Sequence, residues 1–473
     1  MNHTAYGHIL RNDAQLIEAS LSGASKVPFW LDGPGKPNPR PILLDELTAD
    51  LLVVGGGFCG LWTALTAKER YPERRVVLLE ASQVGWAASG RNGGFCEASL
   101  THGSENGATH FADDLRVLKK LESQNFQAIQ ERIERYGIDA EFELEPMLTV
   151  ATEEYQVEQL RKAALSGEGE FLDDAQLRDL ANSPLYRAGM LSTKGVALLN
   201  PAKLAWGLAR AAENLGVEIY ERSPAIVLKR RNMAVMVRTP SGSVRASKVA
   251  LATNGFPSLL KRLRLFTVPI YDYVLTTEPL RDEQLESISW TGRHGITDAG
   301  REFHYYRKTA DNRVLFGGYD AVYHRGRRVK PEQDQRPETF VRLADHFYST
   351  FPQLKGVMFS HKWGGMIDMS TQLVAFHGST GDQRVAYSAG YTGLGVAATR
   401  FGAETMLDLL EGADTERTRL KMARRLPIPI PPEPIAYPLI QAMRRAVAKS
   451  DANGGKDGIL LKAASLFGIR FDS

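Results

Sequence analysis

The sequence predicts an α/β fold: a nucleotide-binding domain assembled from discontinuous segments, with an inserted α+β domain built on an antiparallel sheet. Three observations predict it. Between Ala49 and Glu80 an apolar run, a glycine-rich turn, a helical pattern and a second apolar run follow one another, which is the layout of a βαβ unit. Alternating strand patterns crowd residues 266–320. Near the end of the chain another strand runs into a glycine turn and a helix, VAYSAGYTGLG. Nucleotide-domain pieces at both ends, with strands between them, imply an insertion.

Composition narrows the function classes. A chain of 473 residues can bury a large core without disulfide staples. Its net charge is only +3, and no basic arm interleaved with aromatics occurs, which argues against nucleic acid as a partner. The two cysteines, Cys59 and Cys96, form no Cys-x-x-Cys or Cys/His cluster, so no metal site is expected. The first residues, MNHTAYGHILRNDAQLIEAS, lack the charged and apolar regions of a signal peptide. No run of about 18 apolar residues occurs. The expectation is a soluble, cytoplasmic enzyme.

The elements follow in order. Residues 1–48 read as an N-terminal arm, extended through the Pro/Gly-rich VPFWLDGPGKPNPR. Asp50–Val54 is a short apolar strand of the type buried in parallel sheets. A helix follows from Phe58 to Arg70, then a strand over Arg75–Leu79 that ends at Glu80. Residues 112–136 carry Leu115, Leu118, Leu121, Phe126, Ile129 and Ile133 at helical spacing, with Gly137 as the stop. Asn200 and Pro201 are an N-cap and first-turn pair, and that helix ends at Gly216. The strand VEIYE begins at once. Ala234–Thr239 and Val244–Thr253 are strands joined by the turn PSGS. TVPIYDYVLTTE, FHYYRK and RVLFGGYD alternate as strands, the last two around a turn at Ala310–Asn312. A helix over Val396–Leu410, a Pro-rich strap over Leu426–Pro434 and a basic helix over about Leu439–Lys449 close the chain. The expected organisation is 1–48 as arm; 49–110, 195–255 and 356–412 as nucleotide domain; 111–194 as a helical or mixed connection; 256–355 as substrate domain; and 413–473 as strap and tail.

The turn between the first strand and the first helix is Gly-x-Gly-x-x-Gly at Gly55, Gly57 and Gly60. Gly55 permits the tight turn, Gly57 lets a pyrophosphate approach the backbone, and Gly60 lets the helix pack close to the strand. The helix N-terminus offers free N–H groups to phosphate. Glu80, about 20 residues beyond Gly60, is placed to accept from ribose hydroxyls and would repel a 2′-phosphate. Both NAD and FAD use such a Rossmann-type fingerprint. Two further glycine loops separate them: WAASGRNGGF, close after Glu80, and GYTGLG at Gly390–Gly395. The long flavin dinucleotide uses close backbone contact over that greater span, and a helix N-terminus near Gly393–Val396 favours negative charge on a reduced ring.

On GGGFCG with Glu80, SGRNGG, LNPAKLAWGLARAAENLGVEIYE, VALATNG, YYRKTADNRVLFGG and GYTGLGV, in that order from about residue 27 to 412, the chain resembles the D-amino-acid oxidase-like FAD-dependent oxidoreductases. That group includes sarcosine and glycine oxidases, and the closest flavour is its γ-glutamylputrescine oxidase-like branch. The resemblance implies a discontinuous FAD-binding domain capped by an antiparallel substrate sheet. It places FAD against Gly55, Gly57, Phe58, Cys59, Gly60, Glu80 and Ala81. The second loop, Ser89, Gly90, Arg91, Asn92, Gly93 and Gly94, runs along the flavin. Ala225, Thr253 and Asn254 meet the nucleotide, and Gly390, Tyr391, Thr392, Gly393, Leu394 and Gly395 meet the pyrimidine end of the ring. Some relatives attach FAD through a His in the second loop or a mid-chain Cys. This chain has Arg91 and Asn92 there and no mid-chain Cys, so non-covalent FAD is expected. Sarcosine oxidases place a Lys beside the flavin where this hairpin has about Phe316.

The resemblance implies oxidation of a C–N bond in a small amine or amino acid, with hydride transfer to flavin and hydrolysis of the imine by water. Substrate-positioning candidates come from the inserted sheet. Tyr271 and Tyr273 share one face of their strand, Tyr305 and Arg307 share one face of theirs, and Tyr306 takes the opposite face. Tyr273, Tyr305, Arg307 and Trp363 are the catalytic-site candidates, with Asp368 as a residue that meets a cationic amine. No Arg is placed to clamp a substrate carboxylate, so amines stand beside amino acids. Two other readings stay open: a dehydrogenase of the same fold that passes electrons to a quinone or carrier at a membrane, reached through the basic helix, and a non-catalytic flavin-binding subunit. Partners are then the small-molecule substrate and oxygen or another acceptor.

Overall fold

The first strand, Glu46–Val54, lies at the centre of a mixed sheet because every residue from Leu51 to Val54 is apolar and buried. The computed structural model describes residues 4–7, 9–231, 233–466 and 468–469. In it the first strand pairs in parallel with Ser243–Leu251 on one side, from Glu46 opposite Ser243 to Val54 opposite Leu251. On the other side it pairs with Val76–Leu79, itself wholly buried. Glu218–Tyr220 extends that edge, and Val385–Ala389 with Phe376–Ser379 extends the other. Val227–Arg231 and Ala234–Arg238 add an antiparallel ribbon beside Ser243–Leu251. The helices Phe58–Arg70, Pro201–Asn214 and Gly395–Glu411 share one apolar core with the first sheet. Their boundaries agree with the sequence pattern to within a residue or two, since each start is marked locally. Asn200 Oδ1 accepts the Lys203 N–H at 3.2 Å, and Pro201 begins the helix.

A second, nine-stranded sheet is mostly antiparallel. Its longest pairing joins Val268–Thr277 to Phe359–Met369, from Val268 opposite Met369 to Thr277 opposite Phe359. His304–Lys308 and Val314–Gly318 form the expected hairpin, which adds to Val268–Thr277 through Val274 opposite Gly317. Three strands of this sheet, Met147–Ala151, Glu170–Leu172 and Ala188–Ser192, come from the segment read as a connection. Phe359–Met369, read with the nucleotide domain, also belongs to it. Strand partners distant in sequence leave no local signal, so segmentation by chain order misassigns them. The arm likewise contains a helix, Ala14–Ser22, capped by Asp13 and packed on Pro337–Thr350. The helix expected over 112–136 runs over Leu115–Arg135, after a separate helix Gly103–Phe111.

The two faces of the second sheet differ. Tyr271, Tyr273, Tyr306 and Phe316 pack with Phe340 and Phe347 of the helix Pro337–Thr350 in one core. Val274, Leu315 and Trp363 join the core of the nucleotide domain instead, with Tyr305 against it. A small ribbon, Phe95–Glu97 with Val196–Leu198, sits between the sheets. Its Phe95 ring meets the Tyr305 ring edge-on at 5.8 Å. The tail carries a helix, Ala436–Ala452, docked through buried Ala436 and Val447 and through Arg444, which donates to Asp320 at 2.8 Å, and a shorter helix, Ile459–Leu466, follows it. No helix among the described residues is long and apolar enough to cross a membrane.

Candidate functional site

The three glycines of the first turn answer to three steric demands. Gly55 has φ +112°, and a Cβ there would lie 2.4 Å from the Ala252 carbonyl oxygen. A Cβ on Gly60 would lie 1.8 Å from the Gly55 oxygen, so the helix can sit this close only without one. At Gly57 an added Cβ would meet only the Ser89 hydroxyl, at 2.9 Å. The Phe58 N–H donates to Ser89 Oγ at 2.9 Å. The Cys59 and Gly60 N–H groups precede the first intrahelical bond, from Leu61 N to Gly57 O, and so face outward from the helix end. Glu80 is buried and accepts from Gly56 N at 2.6 Å, Ser82 N at 2.7 Å and Trp86 Nε1 at 2.9 Å. Burial pushes its carboxyl up, and the three donors pull it back. Two carboxylate oxygens offer about four acceptor positions, which leaves capacity for a ribose hydroxyl.

The second loop is bare for two reasons. Gly94 has φ +77°, and a Cβ there would strike the Leu199 oxygen at 2.2 Å; one on Gly93 would strike the Tyr305 ring at 2.8 Å. The polar side chains hold the loop. Asn92 donates to Ala88 O and Ser89 O, and accepts from Gly94 N, at 2.9–3.1 Å. Arg91 donates to Trp86 O at 2.7 Å and Gly364 O at 3.0 Å, and pairs with Asp334. Trp363 Nε1 donates to Arg91 O at 2.9 Å. Arg91 and Trp363 thus fasten the loop to the second sheet.

The third loop curls through positive φ at Gly390, Thr392 and Gly393. Asp368 accepts the N–H groups of Gly390 and, at 3.0 Å, Tyr391. His102 Nε2 donates to Thr392 O at 2.8 Å. The helix Gly395–Glu411 then starts with no side-chain cap, so its first N–H groups are open to an anion or a ring carbonyl. Beside these loops Asn254 has φ +48° and a buried Oδ1 with no partner among the described residues. Ala225 and Thr253 keep partial exposure along the same edge. Uncapped helix ends, an orphaned Asn oxygen and backbone cradles along one sheet edge fit a dinucleotide. Both thiols are neutral: burial pushes Cys59 up to about 12 and raises Cys96 as well. Neither is poised for a covalent bond.

The family model for the FAD-dependent oxidoreductases called DAO matches residues 50–409, most of the chain. The chain belongs to this family. Its cofactor is FAD, and it is an oxidoreductase. The chain is 32% identical to the gamma-glutamylputrescine oxidoreductase of Escherichia coli over 403 residues, 82% of this chain and 89% of that one. It is 27% identical to a probable oxidoreductase, OrdL, of Haemophilus influenzae, covering 85% and 91%. Among solved structures it is similar in fold to glycine oxidase from Geobacillus kaustophilus, with a TM-score of 0.66 at 18% identity, covering 80% of this chain and 98% of that one. It is also similar in fold to NikD, an unusual amino acid oxidase, with a TM-score of 0.64 at 18% identity, covering 82% and 99%.

On this flavoenzyme's second sheet, the predicted side chains divide. Tyr305 faces the cofactor loops, as alternation requires. Its hydroxyl donates to Asp272 Oδ2 at 2.6 Å. Arg307 shares that face but is fully buried: it donates to Gly94 O at 3.1 Å and Leu199 O at 2.8 Å, and lies over the Trp30 ring. It braces the second loop from below and has no surface to offer a substrate. Tyr273 lies on the far face, packed on Phe340, with its hydroxyl on Gln333 O at 2.8 Å. Phe316 also lies on the far face, so Leu315 and Gly317 are the hairpin's neighbours to the cofactor side. Asp368, expected to meet a cationic amine, is buried and grips the third loop; burial raises it to about 7.

Two acids were missed. Asp272 lies between Tyr271 and Tyr273, and therefore on the opposite side, with Val274 and toward the glycine loops. It accepts from Tyr305 and from Tyr273 N at 2.7 Å. Burial raises its carboxyl to about 6. Glu97 shares a face with Phe95. Both acids are enclosed by protein yet keep accessible surface. An acid inside the apolar run VPIYDYVLTT was the available signal for the first.

Proposed function

We propose that this flavoenzyme oxidises the C–N bond of a small amine, with Asp272 as the residue that takes the proton from the incoming ammonium. The carboxylate of Asp272, poised near pH 6 and hydrogen-bonded to Tyr305, carries the reading. An ammonium has no lone pair on nitrogen, so hydride loss from its carbon requires prior deprotonation, and a base with a pKa near the working pH serves best. FAD supplies the hydride acceptor. Tyr305 keeps Asp272 oriented and its own phenol un-ionised, because burial and the adjacent carboxylate hold it well above its usual range. The second loop, fixed by Arg91, Asn92, Trp363 and Arg307, supplies a rigid floor against which the substrate carbon is aligned. Water then hydrolyses the imine to a carbonyl compound and ammonia, or an amine where the substrate is a secondary amine, and the two electrons leave to oxygen or another acceptor.

The relative from Escherichia coli is named for γ-glutamylputrescine, which supports an amine as the substrate here. Against an approach to a membrane through the helix Ala436–Ala452 stand its buried Ala436 and Val447 and the tie of Arg444 to Asp320, while Leu439 stays exposed. The test is an anaerobic screen of amines and amino acids against purified holoprotein. Bleaching of the flavin by amines, slowed on the order of 100-fold or more in Asp272→Asn, is the expected result. Bleaching that Asp272→Asn leaves unchanged would remove Asp272 from the reaction.

A further inference from the structure

Glu97 stands in an unusual position for a carboxylate. It ends the strand Phe95–Glu97, whose backbone pairs Glu97 with Val196. Cys96 points into the core of the nucleotide domain, so Phe95 and Glu97 point the other way, toward the second sheet. Phe95 lands against Tyr305. Glu97 has no hydrogen-bond or ion-pair partner among the described residues, and burial alone raises its carboxyl, with no cation of the protein to offset it. A carboxylate enclosed without a partner is costly, and the cost is relieved when a cation arrives from outside.

Asp272, through Tyr305, and Glu97, through its strand neighbour Phe95, both border the space between the loops and the second sheet. The two arginines that brace the second loop, Arg91 and Arg307, are both committed to backbone carbonyls. Arg307 Nη2, though unpartnered, has no accessible surface. Trp363, Gly365 and Ile367 line one face of the strand Phe359–Met369, again without a positive charge. A substrate carboxylate beside either acid would be repelled by it. The edge-on pair Phe95–Tyr305 adjoins Asp272 through the Tyr305 hydroxyl and Glu97 through the strand Phe95–Glu97, and offers an apolar surface suited to an alkyl chain.

We propose that Glu97 is a specificity-determining residue that holds a second ammonium group, so that the enzyme takes aliphatic diamines in preference to monoamines and amino acids. The proposal rests on the amine-oxidising reading and deepens it: Asp272 receives the ammonium to be oxidised, Glu97 the distal one.

Anaerobic flavin bleaching by 1,4-diaminobutane, butylamine and 4-aminobutanoate tests this. In the wild type the diamine should half-saturate at the lowest concentration and the amino acid at the highest. Glu97→Gln should raise the diamine's half-saturation on the order of 100-fold, leave butylamine within a few-fold, and keep its flavin. Glu97→Asp should retain the preference, and Glu97→Lys should shift it toward 4-aminobutanoate. Equal half-saturation for diamine and butylamine in the wild type, or an unchanged ratio in Glu97→Gln, overturns the proposal and leaves amine oxidation standing. The wild-type ratio alone decides if a variant fails to fold. Absence of bleaching by every amine overturns both readings.

Discussion

Asp272 and Tyr305 set the pH behaviour. Asp272 is raised to about 6 chiefly by burial, and the Tyr305 hydroxyl pulls it down. Its basic form therefore dominates above pH 6, and kcat/KM should fall as pH drops through that value. Tyr305→Phe removes a donor to the carboxylate, so the same limb should move to higher pH. Asp272→Asn should abolish the limb and lower the rate on the order of 100-fold or more. A pH profile of flavin reduction in the three proteins checks this; a limb that stays in Asp272→Asn belongs to another group. The sequence made half of this legible. Strand alternation placed Tyr305 and Arg307 together and Tyr306 opposite, as observed. It gave no sign of which face of Val268–Thr277 looks toward the glycine loops, and the tyrosine-rich face packs on the helix Pro337–Thr350 instead. Parity is local, but orientation depends on what the sheet packs against.

At the scale of the element, the glycine loops were the most legible part of the chain, because each needs a conformation or an approach that the residue type itself declares. They also separate folding from binding. Gly60→Ala places a Cβ 1.8 Å from the Gly55 oxygen, so the helix must move away, and both melting temperature and flavin content should fall. Gly57→Ala meets only the rotatable Ser89 hydroxyl, so the apoprotein should melt within a few degrees of wild type while FAD binding weakens by at least tenfold. Circular dichroism melting and flavin fluorescence in the filtrate distinguish the two. Equal loss of stability in both would mean that Gly57 serves packing and not phosphate approach. The third loop shows the limit of such reading. GYTGLG announced a turn, but the Asp368 that clamps it lies more than twenty residues away, on a strand of the other sheet.

Across the whole molecule, the second sheet gathers strands from residues 147 to 369, and those pairings were invisible because nothing local specifies a distant partner. The tail completes this sheet's rim. Tyr323 donates to Glu433 at 2.7 Å, Arg327 to Ile430 O and Pro431 O, and Arg444 to Asp320. Truncation after Leu426 should therefore lower the melting temperature of the holoprotein while its flavin spectrum persists, since the glycine loops follow strands of the other sheet. Loss of flavin in the truncated but folded protein would contradict that division. The central claim is hydride removal from the carbon of an amine, and it has a direct measurement. Anaerobic single-turnover flavin reduction is followed with an amine substrate and with the same amine deuterated at the carbon bearing nitrogen. The account predicts slower reduction of the deuterated compound, with a limb near pH 6. Reduction at the same rate for both compounds, or none by any amine, would contradict it.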